Sequence, residues 1–219
     1  MITYGDVINN ESIKIYIREA DASLAELGYT EHSFAHVGTV SDRAGKILSA
    51  IGTDARKVEL AKIAGYMHDI GNIVNRVEHS QSGAVIAFRI LDKMGMQPED
   101  IATIVSAIGN HDEGTGVPVN EVAAALILAD KTDVRRTRVR NCDFSKFDIH
   151  DRVNYSVEKS ELGIDAENKI IRLTLTIDTS ISSIMDYFEI FLQRMLMCRR
   201  SAEKLGLAFK LLINGQEFI

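Results

Sequence analysis

The chain has 219 residues, 26% of them charged, and a net charge of -6, the make-up of a globular protein long enough to close one large core, or one domain with an appendage. The negative balance argues against general nucleic-acid binding. Two cysteines, Cys142 and Cys198, with no CxxC spacing exclude a disulfide framework and suit a reducing compartment.

The first segment, MITYGDVINNESIKIYI, has no basic flank before an apolar run, so a signal peptide is not expected. Up to residue 133 apolar residues recur every three or four positions. They predict helices at about 11–27, 34–51, 54–70, 80–94, 99–110 and 119–132. Thr53 and Ser80 are the expected N-caps of the third and fourth helices. Pro98 and Pro118 sit at helix starts, and Gly28, Gly52, Gly71 and Gly95 follow helical stretches as C-caps do. Residues 134–150 are charged and irregular. Val153 to Lys159 and Lys169 to Asp178 then read as a hairpin turning around Gly163 and Asp165. A helix at about 180–205 and a strand near 208–213 complete the pattern. The expected architecture is mainly α, with a helical domain over 1–133 and a small α+β extension over 134–219. The longest apolar run, Val122 to Ala129, is too short for a bilayer, so a soluble cytoplasmic protein with no membrane partner is expected.

Six polar residues interrupt this pattern where a helical protein should have leucines. His36 continues the row Val40, Ala44, Ile47, Ile51. His68 continues Ala61, Ala64 and Gly65, small residues that permit close approach. His79 precedes Gly83, Ile86, Ala87 and Ile90. His111 ends Ile101, Ile104, Val105, Ile108, and Asp130 ends Ala123, Leu126, Ile127. Asp69 adjoins His68. An imidazole or carboxylate facing a core costs several kcal/mol or more without a partner. A lone inward histidine is more often satisfied by a backbone carbonyl than by a metal. Four of six histidines in inward positions reverse that balance, with only His32 and His150 outside the set. His68, His111 and Asp130 lie at helix C-termini and His36 and His79 near N-termini, ends that antiparallel helices bring together. Mixed imidazole and carboxylate donors suit iron, manganese, zinc, nickel or cobalt rather than calcium or magnesium.

The order His36, then His68-Asp69 in AGYMHDIGN, then Asp130 in LILADKTD resembles the HD superfamily of metal-dependent phosphohydrolases. HSFAHVGTVSDRAGKIL is also similar to that family's opening helix, and the likeness covers about residues 30–135. The resemblance implies an HD-domain-like helical bundle with one metal held by His36, His68, Asp69 and Asp130. His79 and His111 resemble the ligands of binuclear members, which implies a second ion sharing Asp69. Binuclear members often carry a second histidine where this chain has Asp112, a residue that either ligates or faces water. NHDEGTGVP is similar to a shortened form of the HD-GYP phosphodiesterase motif, but it lacks the tyrosine, and Asn72 replaces the usual lysine after the HD pair. The compact layout also looks like small bacterial HD nucleotide hydrolases.

The implied activity is hydrolysis of a phosphoester or phosphoanhydride in a nucleotide or small phosphorylated metabolite by metal-activated hydroxide. Beside Asp69, the expected catalytic residues are Lys131 and Arg135, the cations nearest Asp130, with Arg76 a weaker third. Arg136, Arg138 and Arg140 are expected mostly to form a solvated connector. Asp133, one turn beyond Asp130, either ligates or orients a ligand. Met185, Met195 and Met197 with Tyr187, Phe188, Phe191 and Leu192 read as packing for the tail helix, with apolar surface that would equally suit a homodimer. Two other functions fit the same scaffold: a silent nucleotide-binding regulatory domain, and a di-iron oxygenase. The complete ligand set favours the first over the silent domain, and the neighbouring basic residues favour phosphate over oxygen chemistry.

Overall fold

A computed structural model describes residues 1–219. Nine helices and a four-stranded sheet form the fold. The helices α1 (Tyr4–Ile8) and α2 (Glu11–Glu26) lead into α3 (Phe34–Ala50), α4 (Ala55–Met67), α5 (His79–Lys93), α6 (Pro98–Gly109) and α7 (Glu121–Lys131). The Asn10 side chain caps α2 by accepting from the Ser12 and Ile13 N–H groups, and Ile13, Ile17, Ala20 and Leu24 form its buried stripe. In α7 every residue from Val122 to Lys131 is buried. A helix apolar on all sides belongs at the centre, and α3, α4, α6 and α9 (Ile184–Lys204) surround it. The terminus of α7, with Asp130 and Lys131, therefore opens into the interior.

Close approach fixes the neighbouring helices. A Cβ on Gly65 in α4 would stand 2.8 Å from the Ser41 Cα in α3, so only glycine lets these two backbones meet. A Cβ on Gly71 would stand 1.9 Å from the His79 carbonyl oxygen. Gly71 is thus a close-approach residue inside a 3-10 turn over Ile70–Ile73, and not the C-cap expected from the sequence. Gly28, Gly52 and Gly95 do adopt positive φ.

The tail begins with α8 (Ile149–Ser156), followed by β1 (Val157–Asp165) and β2 (Ile170–Ile177), then α9, β3 (Ala208–Ile213) and β4 (Gln216–Glu217). Sheet order follows chain order; β2 and β3 are parallel and the other pairs antiparallel. Ile171, Leu173 and Leu175 oppose Phe209, Leu211 and Ile213 in register and face the core. The alternation in Ile171–Ile177 was therefore a true guide to the buried face.

Several local expectations are corrected. Val153 to Ser156 are helical, because Asp148 caps α8 by accepting from the Asp151 N–H at 2.8 Å. The hairpin turns after Asp165, whose side chain accepts from the Asn168 N–H, while Gly163 pairs with Arg172 within the ladder. Asp54 and not Thr53 caps α4. The helix α5 starts at His79, one residue before the expected Ser80 cap, after Glu78 in a left-handed conformation. Pro118 precedes the Asn120 cap of α7, whereas Pro98 is the first residue of α6. No helix is long and apolar enough to cross a membrane.

Candidate metal centre

Each candidate histidine is held at a helix end by a fixed acceptor. His36 lies in the first turn of α3, which Ser33 caps, and its Nδ1 stands 2.8 Å from Asp133 Oδ2. His68 closes α4 with Nδ1 2.8 Å from the Gly65 carbonyl oxygen. His111 follows α6 with Nδ1 2.7 Å from the Ile108 oxygen, and His79 opens α5 with Nδ1 3.0 Å from the Arg76 oxygen. A carbonyl or ionised carboxylate can only accept, so all four rings carry their proton on Nδ1. All four Nε2 lone pairs are left to face inward.

Those four nitrogens meet the two aspartates. Asp69 Oδ2 is 3.1 Å from His68 Nε2 and 3.5 Å from His36 Nε2, while its Oδ1 is 3.5 Å from His79 Nε2 and 4.0 Å from His111 Nε2. The two oxygens of one carboxylate thus face different histidine pairs. Asn72 holds this orientation by donating to Asp69 Oδ1 at 3.0 Å. Asp130 Oδ1 lies 3.3 Å from His36 Nε2 and 3.6 Å from His68 Nε2, and its Oδ2 is 2.8 Å from Lys131 Nζ. All six residues are buried. Asp112 sits at the edge, 4.0 Å from His79 Nε2.

The residues fit a metal ion. The Nε2 atoms of His36 and His68 are buried without any hydrogen-bond partner. His79 Nε2 and His111 Nε2 approach to 3.1 Å. With both protons on Nδ1 this is two lone pairs face to face, relieved only by Arg76 Nη1 at 3.4 Å from His79 Nε2. A cation among these atoms resolves both conflicts. His36, His68 and Asp130 form one set whose donor atoms lie within 4.8 Å of one another, and His68, Asp69 and His111 form another. Imidazole and carboxylate together are donors for divalent transition ions.

Electrostatics separate the two ends of the cluster. Burial disfavours a charged imidazole, yet the Asp69 and Asp130 carboxylates outweigh it at His68 and push it up to about 10, so a positive charge at its Nε2, whether a proton or a metal ion, is favoured there. Burial dominates at His79 and His111 and holds both below the usual imidazole range, with the Lys131 charge adding to the shift at His111. Burial would raise Asp69 and Asp130, but His68 and His36 hold the first well below the carboxylate range. Lys131, His36 and His68 do so for the second.

A cavity of about 420 Å³ opens over the cluster, a size suited to a small ligand. Only Leu27, Tyr29 and Phe191 among its eighteen lining residues are hydrophobic, so it fits a polar molecule. Lys131 lines it, as expected; Arg76 does too. Arg135 does not: its Nε and Nη2 are bound to Asp133 at 2.7 and 2.9 Å, away from the opening. Arg138 lines the cavity instead of lying in a solvated connector. Asp133 serves as the orienting carboxylate of His36. His32 and His150, outside the expected set, both line the cavity, together with Asn154 and Arg194 from the tail. Loop and tail residues of this kind leave no periodic signal. Glu113 of the NHDEGTGVP loop stands 2.6 Å from Arg194 Nε, a contact between segments far apart in the chain.

Residues 33–140 match the family model of the HD domain. An uncharacterized protein of Methanocaldococcus jannaschii is 25% identical over 208 residues, covering 84% of this chain and 80% of its own length. The crystal structure of a predicted HD superfamily hydrolase from an uncultured Thermotogales bacterium is 27% identical with a TM-score of 0.46, covering 57% of this chain and 67% of that one. Over residues 33–140 the chain is thus similar to the HD domain, and its mainly helical fold is the HD-domain fold.

Proposed function

We propose that the protein is a metal-dependent phosphohydrolase acting on a nucleotide or another small phosphorylated metabolite. The observation that carries this reading is the convergence of four Nε2 lone pairs on two buried carboxylates beneath a polar cavity. His36, His68, Asp69 and Asp130 would hold one divalent transition ion, and His79 and His111 a second, with Asp69 shared. Its two oxygens facing opposite histidine pairs support that sharing. Iron, manganese, nickel, cobalt and zinc all suit such donors. Bound ions of this kind supply an acidified water and neutralise phosphoryl charge.

The chain's own residues do the rest. Asp133 fixes the His36 tautomer and Asn72 fixes Asp69, so the donor atoms are set before any ligand arrives. Lys131, buried and shared between Asp130 and Glu113, offers its ammonium to a phosphoryl oxygen at the cavity floor. Arg135 acts through Asp133. We take residues 1–133 as the metal-binding domain and 134–219 as an extension that closes one wall of the cavity.

Protein purified without chelator is assayed for metal content and then against nucleotides and small phosphoesters. Metal bound in the expected stoichiometry and phosphate released from one compound class are the expected results. Release of phosphate from no member of the panel by metal-loaded protein overturns the reading.

A further inference from the structure

Three cations stand together at the end of the cavity nearest Asp130. Arg194 comes from α9, 63 residues beyond Lys131 and outside the segment matched to the HD domain. Its guanidinium lies 4.6 Å from the Phe191 ring centroid, and its Nε is 2.6 Å from Glu113. Glu113 also lies 3.4 Å from Lys131 Nζ, so one carboxylate ties the tail helix to the floor of the site. Gly116 seats this loop on α9, because a Cβ there would stand 2.5 Å from the Met197 side chain. Arg138 approaches from the other side. It is only 4% exposed, and it spends Nε on the Glu31 carbonyl and Nη1 on the Asp133 carbonyl. Its Nη2 has no protein partner at hydrogen-bond distance, and the residue lines the cavity. Lys131 and Arg138 both lie within electrostatic range of Arg194.

The carboxylates nearest these cations are partly committed elsewhere. Asp130 and Asp69 belong to the histidine cluster, and Asp133 is engaged by His36 and Arg135. Glu113 lies between Lys131 and Arg194, and Asp148 and Asp151 complete the charged lining of the cavity. Forked donors in fixed positions match the geometry of a terminal phosphoryl group. Three separate cationic donors can each engage one of the three terminal oxygens of a monoester dianion, whereas a diester offers only two.

We propose that Arg194 and Arg138 grip the substrate phosphate alongside Lys131, so that the tail completes the site and selects terminal phosphoryl groups over internal diesters. This rests on the hydrolase reading for the reaction but not for the binding. Isothermal calorimetry of the full chain with its metals, at pH 8, tests it with inorganic phosphate and dimethyl phosphate as probes. Wild-type protein is expected to bind phosphate at least about tenfold more tightly than dimethyl phosphate. Arg194→Met, which keeps an unbranched side chain and removes the guanidinium, should lose about tenfold in phosphate affinity, the worth of one charge-assisted hydrogen bond, and Arg194→Lys should recover part of it. Equal affinity of wild type for the two probes, undetectable phosphate binding, or unchanged binding by Arg194→Met each overturns the proposal. Phosphate binding that depends on Arg194 in a protein that cleaves nothing contradicts the hydrolase reading and upholds this one.

Discussion

Asp133 Oδ2 accepts a hydrogen bond from His36 Nδ1 at 2.8 Å, joining the end of α7 to the first turn of α3. The same carboxylate receives the Arg135 fork and lies 3.4 Å from Arg43 Nη1. Burial would raise it, but His36 and the surrounding arginines keep it ionised. Its work is to leave the His36 Nε2 lone pair pointing inward. Asp133→Asn keeps the shape and removes the charge, so metal affinity at the His36 end should fall about 10–100-fold. Chelator competition measures this, and an affinity equal to wild type would refute the role.

Asp69 is the one residue whose two oxygens serve both halves of the cluster. Asp69→Ala should therefore strip both ions, whereas His79→Ala should empty mainly the end formed with His111. Elemental analysis of the purified variants separates the two outcomes. Two equivalents of metal retained by Asp69→Ala would show that the carboxylate is not shared.

The contact between α3 and α4 places His36 beside His68, with ring centroids 5.2 Å apart. Gly65→Ala would set a methyl group 2.8 Å from backbone atoms that have no rotamer to yield. Overpacking of this kind costs about 1–3 kcal/mol. The denaturant midpoint should drop accordingly, and the metal should bind more weakly because the two rings are pushed apart. A Gly65→Ala protein of wild-type stability would mean that the two helices can separate freely.

The helical half was legible because periodic apolar stripes fix which face turns inward, and the histidines showed up as breaks in those stripes. Asp133 was readable as a carboxylate one turn past Asp130. The tail was less so. Residues 153–156 have a strand-like composition, yet the Asp148 cap makes them helical. The run Arg135, Arg136, Arg138, Arg140 offers no periodicity by which to choose the cation that faces the site. The choice is made by a 3-10 turn over Arg136–Arg138, which carries Arg138 inward onto two backbone carbonyls while extended Arg135 folds back onto Asp133. Arg194 and Glu113 meet only because α9 returns across α7, a long-range fact invisible in local pattern.

Nearness to Asp130 in sequence made Arg135 a candidate for touching substrate, and its place in the fold gives it a different role. Both of its bonds to Asp133 are charge-assisted, with Glu31 at 3.9 Å as a further partner. Removing the guanidinium in Arg135→Ala leaves Asp133 bound to His36 and flanked by Arg43 and Arg138, so the carboxylate keeps its charge but gains freedom to rotate. Metal affinity should weaken by less than in Asp133→Asn, about tenfold at most. At saturating metal, KM for a cleaved phosphoester should stay near wild type, since no nitrogen of Arg135 reaches the cavity. Lys131→Met should do the reverse, raising KM and changing metal content little. A steady-state comparison of the two variants at fixed metal concentration decides the matter: a KM raised in Arg135→Ala and unmoved in Lys131→Met would exchange their roles.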